Sequence, residues 1–186
     1  DEGIVNCRDH YVRMKKDENL NQVSSISVDI KDNIITLTND GEGIDVAEHP
    51  EYKIWIPELI FGHLRTSTNY DKSEKKITGG KNGFGFKLVL IWSTWGKIET
   101  IDSNRGLKYI QEFTNNLDEI KKPIITKCKL KSYTKVSFKP DYKRLGIERL
   151  SEDMIALFKR RVCDIAAVTD ESVKIKYNNK QIPIRS

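Results

Sequence analysis

Long apolar runs are missing from this sequence: no stretch approaches the roughly 20 residues that a membrane-spanning helix needs, so no membrane partner is implied. Cysteine is scarce. Cys7, Cys128 and Cys163 are odd in number, far apart and in no C-x-x-C arrangement, which argues against a disulfide framework or a cysteine-based zinc site and reads as reduced intracellular thiols. The three histidines, His10, His49 and His63, have no metal-ligand spacing and read as surface or capping residues. There is no internal repeat, low-complexity tract or obvious linker, so the 186 residues read as one domain, 1–186, long enough for a real core.

Basic and acidic residues nearly balance, 32 against 27, leaving a formal net charge of +5. That excess is compatible with nucleic acid nearby, but the lysines are spread among the acids and read mostly as a solvated surface. What is abundant locally is glycine. Thr78-Gly79-Gly80-Lys81-Asn82-Gly83-Phe84-Gly85-Phe86-Lys87 carries four glycines in seven residues and runs into the apolar segment Leu88 to Trp92. Glycine allows positive φ and close backbone approach, and the free N–H groups at the start of a following helix favour an anion, with Lys87 adding a point charge. The spacing G-x-x-G-x-G is neither the dinucleotide fingerprint nor a Walker A loop, so a plain flexible turn ahead of a helix stays open as the alternative.

Taken in order, residues 1–16 predict a helix with Ile4, Val5 and Tyr11 or Val12 buried. Glu2 and Asn6 lie four positions apart, hence on one face, with Asp9 beside it. A carboxylate next to a carboxamide suits a water-activating base and a magnesium ligand; a polar outer face is the bland alternative. Asp1 has no methionine before it and opens in mid-helix, so further chain is expected upstream, and beyond Ser186. Residues 24–39 alternate as a β-hairpin around Lys31-Asp32-Asn33 and deliver Asn39-Asp40-Gly41-Glu42-Gly43-Ile44 to a strand end. There a carboxylate on a glycine-containing turn can accept from a base's amine, or the segment is an ordinary turn.

Pro57 to Leu64 predicts a short helix with proline in its first turn. Arg65 to Thr78 is polar and aperiodic, as in a lid over a ligand; Ser67, Thr68 and Asn69 either reach a sugar or phosphate or solvate a loop. A helix over 84–93 is followed by strands at 97–102, 107–113, 124–130 and 135–138, in a meandering antiparallel sheet. The basic stretch of Lys121-Lys122 and Lys127 to Lys131 suits an exposed edge strand protected by lysine better than a DNA contact. Ser151 caps a core helix over 151–167, and 173–184 predicts a last hairpin.

The order of these segments resembles one family. Asp1 to Asp9, Asn39 to Ile44, Glu58 to Asp71, Thr78 to Lys87, Thr134 to Asp141 and Ala156 to Ala166 are similar to the ATP-site motifs of type IIA DNA topoisomerases of the eukaryotic and large DNA virus kind, almost from end to end. The resemblance implies an α+β fold, the two-layer α/β sandwich of the GHKL (Bergerat) ATPases, with helices on one face of a mixed, mostly antiparallel sheet. It implies ATP and Mg²⁺ as cofactors, Glu2 as general base and Asn6 as magnesium ligand. Asp40 would face adenine, and Ser67, Thr68 and Asn69 would line ribose and phosphates. Gly80, Lys81, Asn82, Gly83, Phe84, Gly85 and Lys87 would wrap the triphosphate, and Thr134 would support the adenine pocket from the sheet.

It further implies a homodimer closed by ATP around DNA, located in the nucleus or, for a virus, in host cytoplasm or virion. The family's N-terminal arm, its transducer domain and its DNA-cleaving domains are not in the sequence, so the piece alone is expected to hydrolyse ATP slowly or not at all. Lys81, Phe84 and Phe86 stand where the family often has arginine, tyrosine and a small residue, so altered packing of the loop on its helix is expected. Two rivals remain: a non-catalytic or chaperone-like nucleotide module on the same fold, and a basic DNA-binding piece whose glycines merely make turns.

Overall fold

In the computed structural model the structure describes residues 1–17, 20–63 and 85–183. Alternation at 24–39 builds its first hairpin. Strands β1 (Ser25–Lys31) and β2 (Ile34–Asp40) pair antiparallel, Ile26 opposite Asn39 through Lys31 opposite Ile34. Ile26, Val28, Ile35 and Leu37 are buried on one face, while Ser27, Asp29, Thr36 and Thr38 take the other. The turn is made by Asp32 and Asn33 at φ 51° and 60°, left-handed values that Asp and Asn tolerate and a two-residue hairpin needs. Asn33 also accepts hydrogen bonds from the Leu150 backbone N–H at 3.3 Å and the Tyr142 hydroxyl at 2.6 Å, tying the turn to the segment ahead of the last helix.

The remaining strands are β3 (Ser93–Asp102), β4 (Leu107–Thr114), β5 (Glu119–Ile120), β6 (Ile124–Lys127), β7 (Tyr133–Pro140), β8 (Lys174–Tyr177) and β9 (Lys180–Gln181). They form one sheet in the order β5-β4-β3-β7-β2-β1-β8-β9, with β6 on β4. All pairings are antiparallel except β1 with β8. A simple meander fails at two points: β7 inserts between β3 and β2, and β8 returns beside β1. Both placements bury inward residues, Val136 of β7 and Ile175 of β8, against strands already apolar on that side.

Among the described residues, four helices cover that side: α1 (Glu2–Met14), α2 (Ile56–Gly62), α3 (Gly85–Ile91) and α4 (Glu152–Ala167). Ile4, Cys7 and Tyr11 of α1 and Val162 and Ala166 of α4 pack with Ile26, Val28, Leu37 and Ile175. Phe61 of α2 and Leu90 of α3 pack with Ile98, Tyr109, Phe113 and Val136 in a second cluster. Ser151 caps α4 by accepting from the Met154 N–H at 3.2 Å. This helix is less a core element than its periodicity predicts, since Met154 and Leu157 are exposed and only Val162 and Ala166 are fully buried.

The two clusters meet at Phe86. Its ring stands edge-on to Phe61 and to Phe138, each at 5.7 Å between centroids, and packs against both clusters. A large residue at 86 therefore fills the junction of α2, α3 and β7. Truncation by Phe86→Ala is expected to lower unfolding free energy by about 3 kcal/mol, read from the denaturant midpoint at unchanged slope.

Candidate active site

Because Ile4 and Tyr11 turn α1's apolar stripe onto the sheet, Asn6 is brought to the wall of a cleft, with Glu2 one helical turn before it. Asn6 Nδ2 donates to Glu2 Oε1 at 3.4 Å. The Glu2 carboxylate rests against the backbone of Gly85, at the start of α3, in the space that a Cβ there would occupy. Only glycine at 85 leaves that carboxylate its place. The acid and amide predicted from spacing thus lie beside Gly85 at the start of α3.

The cleft is a cavity of about 270 Å³ lined by Asn6, His10 and Arg13 of α1, Asn39 of β2, Gly43 and Ile44 of the following loop, Phe61, Phe86 and Thr134. Gly43 lies directly on β3: a Cβ there would collide with the Ile101 carbonyl. The floor is hydroxylated. Thr134 Oγ1 lies 3.0 Å from Thr100 Oγ1, which also accepts the Ile44 backbone N–H at 3.0 Å. His10 Nε2 lies 3.0 Å from the Glu42 carbonyl; burial and the neighbouring Arg13 push its imidazole pKa down despite that contact. Beyond Gly3 and Phe86 a second cavity of similar size is lined mainly by apolar side chains such as Ile4, Val28, Leu37, Phe138 and Val162, with Asp1, Glu2 and Arg161 also on its wall.

The structure brings together Glu2, Asn6, Gly85 and, across the cleft, Thr134. Lys87 is almost wholly buried in α3, and loss of solvent pushes its ammonium pKa down. Ser67, Thr68, Asn69, Gly80, Lys81, Asn82, Gly83 and Phe84 lie outside the described residues. Asp40 is placed elsewhere than expected. Its carboxylate accepts the Ser24 and Ser25 N–H groups at 2.7 and 2.8 Å, the Ser24 hydroxyl, and Lys131 Nζ at 3.4 Å, on the face away from the cleft. Strand alternation gives the reason: Leu37 and Asn39 point inward, so Asp40 points out. Asn39, in register with Thr134, is the residue that lines the cleft. His10 and Arg13 were also missed, although they continue the Glu2–Asn6 stripe at helical spacing.

What such a cleft can do follows from its parts. Carboxamide and hydroxyl groups on the floor can hydrogen-bond a flat heterocycle, and the missing side chain at Gly43 lets its loop pack directly on β3 beside them. Behind Asn6, a carboxylate steadied by that amide can take a proton from water. Among the described residues no group of three or more His, Cys, Asp or Glu is arranged to hold a metal.

Comparison with known proteins agrees in two steps. The 43K ATPase domain of Thermus thermophilus gyrase B superposes with a TM-score of 0.67 over 94% of this chain and 42% of that one, at 20% identity, which establishes a GHKL-type ATPase fold. The ATPase region of Saccharomyces cerevisiae topoisomerase II superposes at 0.92 over 99% of the chain and 48% of that one, with 42% identity. A curated relative, DNA topoisomerase 2 of Acanthamoeba polyphaga mimivirus, is 48% identical over 98% of the chain. No family model matches. The chain belongs to the ATPase domains of type II DNA topoisomerases, and it spans 14% of the length of the mimivirus protein.

Asp40 supplies a stability test independent of any ligand. Burial alone would raise its carboxyl pKa, but the bonds from Ser24 and Ser25 and the nearby Lys131 outweigh burial and hold it below the usual range. A carboxylate depressed in the folded state stabilises above its unfolded pKa and loses that contribution as pH falls through the folded value. Asp40→Asn is therefore expected to cost about 1–2 kcal/mol near pH 7, with the deficit shrinking below about pH 4, in urea titrations run across pH.

Proposed function

We propose that this chain is the ATP-binding and ATP-hydrolysing gate domain of a DNA topoisomerase II, driving ATP-dependent passage of one DNA duplex through another. The observation that carries the catalytic part is the Glu2 carboxylate seated on Gly85 with Asn6 one turn further along α1. Phosphoryl transfer to water needs a positioned water, a cation across the phosphates and donors around the leaving group, and little covalent chemistry from the protein. Glu2 is assigned the role of general base, orienting and deprotonating water. Asn6, its Nδ2 committed to Glu2, keeps Oδ1 for a hard cation, which suits magnesium bound mostly through phosphate oxygens. When bound, that ion supplies charge neutralisation on the transferring phosphate.

Asn39, Thr134 and Thr100 are assigned to the adenine end of the cleft, and Gly85 and the glycine-rich segment before it to the triphosphate. Homodimeric closure around DNA, in a nucleus or in the host cytoplasm or virion of a virus, completes the proposal. The 48% identity to the mimivirus enzyme supports this reading over that of a non-catalytic module, which no feature of the structure favours.

Two variants test it. In a chain extended to the length of the curated relatives, Glu2→Ala is expected to cut magnesium-dependent ATP turnover by roughly 10²-fold or more while retaining binding of a non-hydrolysable analogue. Unchanged turnover removes Glu2 from the role of base. In the 186-residue chain, Asn39→Ala is expected to weaken analogue binding by about tenfold, and Asp40→Ala to leave it nearly unaltered, as measured by calorimetry.

A further inference from the structure

The helices cover one face of the sheet; the opposite face carries side chains that the cleft does not use. Pairing registers place Lys97 opposite Ser137, Lys139 opposite Trp95, Lys135 opposite Glu99 and Thr38, and Lys176 opposite Ser27, all on that face. Thr36 and Ser137, hydrogen-bonded to each other at 2.9 Å, lie between the lysine columns. Three of the acids on the face are engaged: Glu99 by Lys108 at 3.0 Å and by the Tyr133 hydroxyl, Glu112 by Lys121 at 3.4 Å, and Asp40 as described. Glu119, which accepts the Thr114 hydroxyl at 2.8 Å, and Asp29 are the others. Among the described residues Lys97, Lys135, Lys139 and Lys176 form no ion pair, and Lys135 adds to the field that lowers the Glu99 carboxyl pKa.

We propose that this open sheet face is a docking surface for the phosphate backbone of a DNA duplex. The choice of DNA over other polyanions rests on the topoisomerase reading; the surface itself rests on the lysine array. Neighbouring strands lie about 4.8 Å apart, so Lys97 on β3 and Lys176 on β8, four strands away, are separated by roughly 19 Å at their backbones. At one phosphate per about 3.4 Å of each DNA strand, that width matches about five to six phosphate spacings. Hydroxyls between lysines suit phosphate oxygens, and phosphate contacts of this kind position a duplex without reading its sequence. A protein partner would want an apolar centre, and β1, β2, β3 and β7 contribute no strongly exposed apolar side chain. At the face's middle, Trp95, Lys97, Glu99, Lys135 and Ser137 border a shallow hollow of about 150 Å³.

The test is binding of a short fluorescein-labelled mixed-sequence duplex to the 186-residue chain, by anisotropy across a salt series. The triple variant Lys97→Gln, Lys135→Gln, Lys139→Gln is expected to bind at least tenfold more weakly and to flatten the slope of log affinity on log salt by about 2–3. A control triple with the same charge change, Lys53→Gln, Lys143→Gln, Lys159→Gln, at exposed positions outside the strands, is expected to stay within about twofold. Equal losses in both triples, no duplex binding by the unaltered chain, or displacement of DNA by poly-glutamate at equal charge would each overturn the proposal. Analogue binding is measured on the same samples. Its loss with lysine-dependent DNA binding intact sinks the nucleotide reading and leaves this surface standing.

Discussion

The Glu2 carboxylate occupies space that a side chain on residue 85 would need, and this contact ties the first helix to the exit of the glycine-rich segment. The rest of the cleft is arranged by what holds the contact in place. α1 is fixed on the sheet by Ile4, Cys7 and Tyr11, and α3 by Leu90 against Ile98 and Val136. Phe86, the next residue along α3, locks both through Phe61 and Phe138. A polar contact between two flexible ends would be worth little; here each end is carried by a buried apolar neighbour, which is what preorganises a site.

Much of this was legible in the sequence where a local period was strong. The hairpin over 24–39 follows from alternation plus Asp32-Asn33, the start of α4 from Ser151, and the Glu2–Asn6 face from helical spacing. Asp40 was misassigned by a single position because a strand's period is two: the motif was found, but whichever of Asn39 and Asp40 pointed inward depended on the pleat, and Leu37 already indicated it. Strand order was not legible. Nothing local to 133–140 says that β7 lies between β3 and β2, or to 174–177 that β8 runs parallel to β1, since those pairings are decided by which inward faces must be buried together. The two-residue β5 is too short for any period to show.

Phe86 shows how a departure in sequence acquires a physical meaning only in three dimensions. A small residue there would leave the two cavities, each of about 270 Å³, in communication across Gly3. The phenyl ring walls the apolar cavity off from the polar cleft. That separation keeps the carboxylate's surroundings two-sided: apolar packing behind Glu2, amide and backbone before it.

The sheet's two faces are joined by the same alternation that misled the assignment of Asp40. Thr134 lies on the cleft floor and Lys135 on the lysine face; Asn39 and Thr38 divide likewise on β2, and Thr100 and Glu99 on β3. Three central strands therefore present the cleft's polar groups on one side and the lysine array on the other, one peptide unit apart. Such a sheet is stiff, because β3, β7 and β2 are each hydrogen-bonded on both edges. If occupants of the two faces influence each other's affinity, linkage requires the factor to be the same in both directions. The strands that would carry that coupling are the ones whose registers define both surfaces.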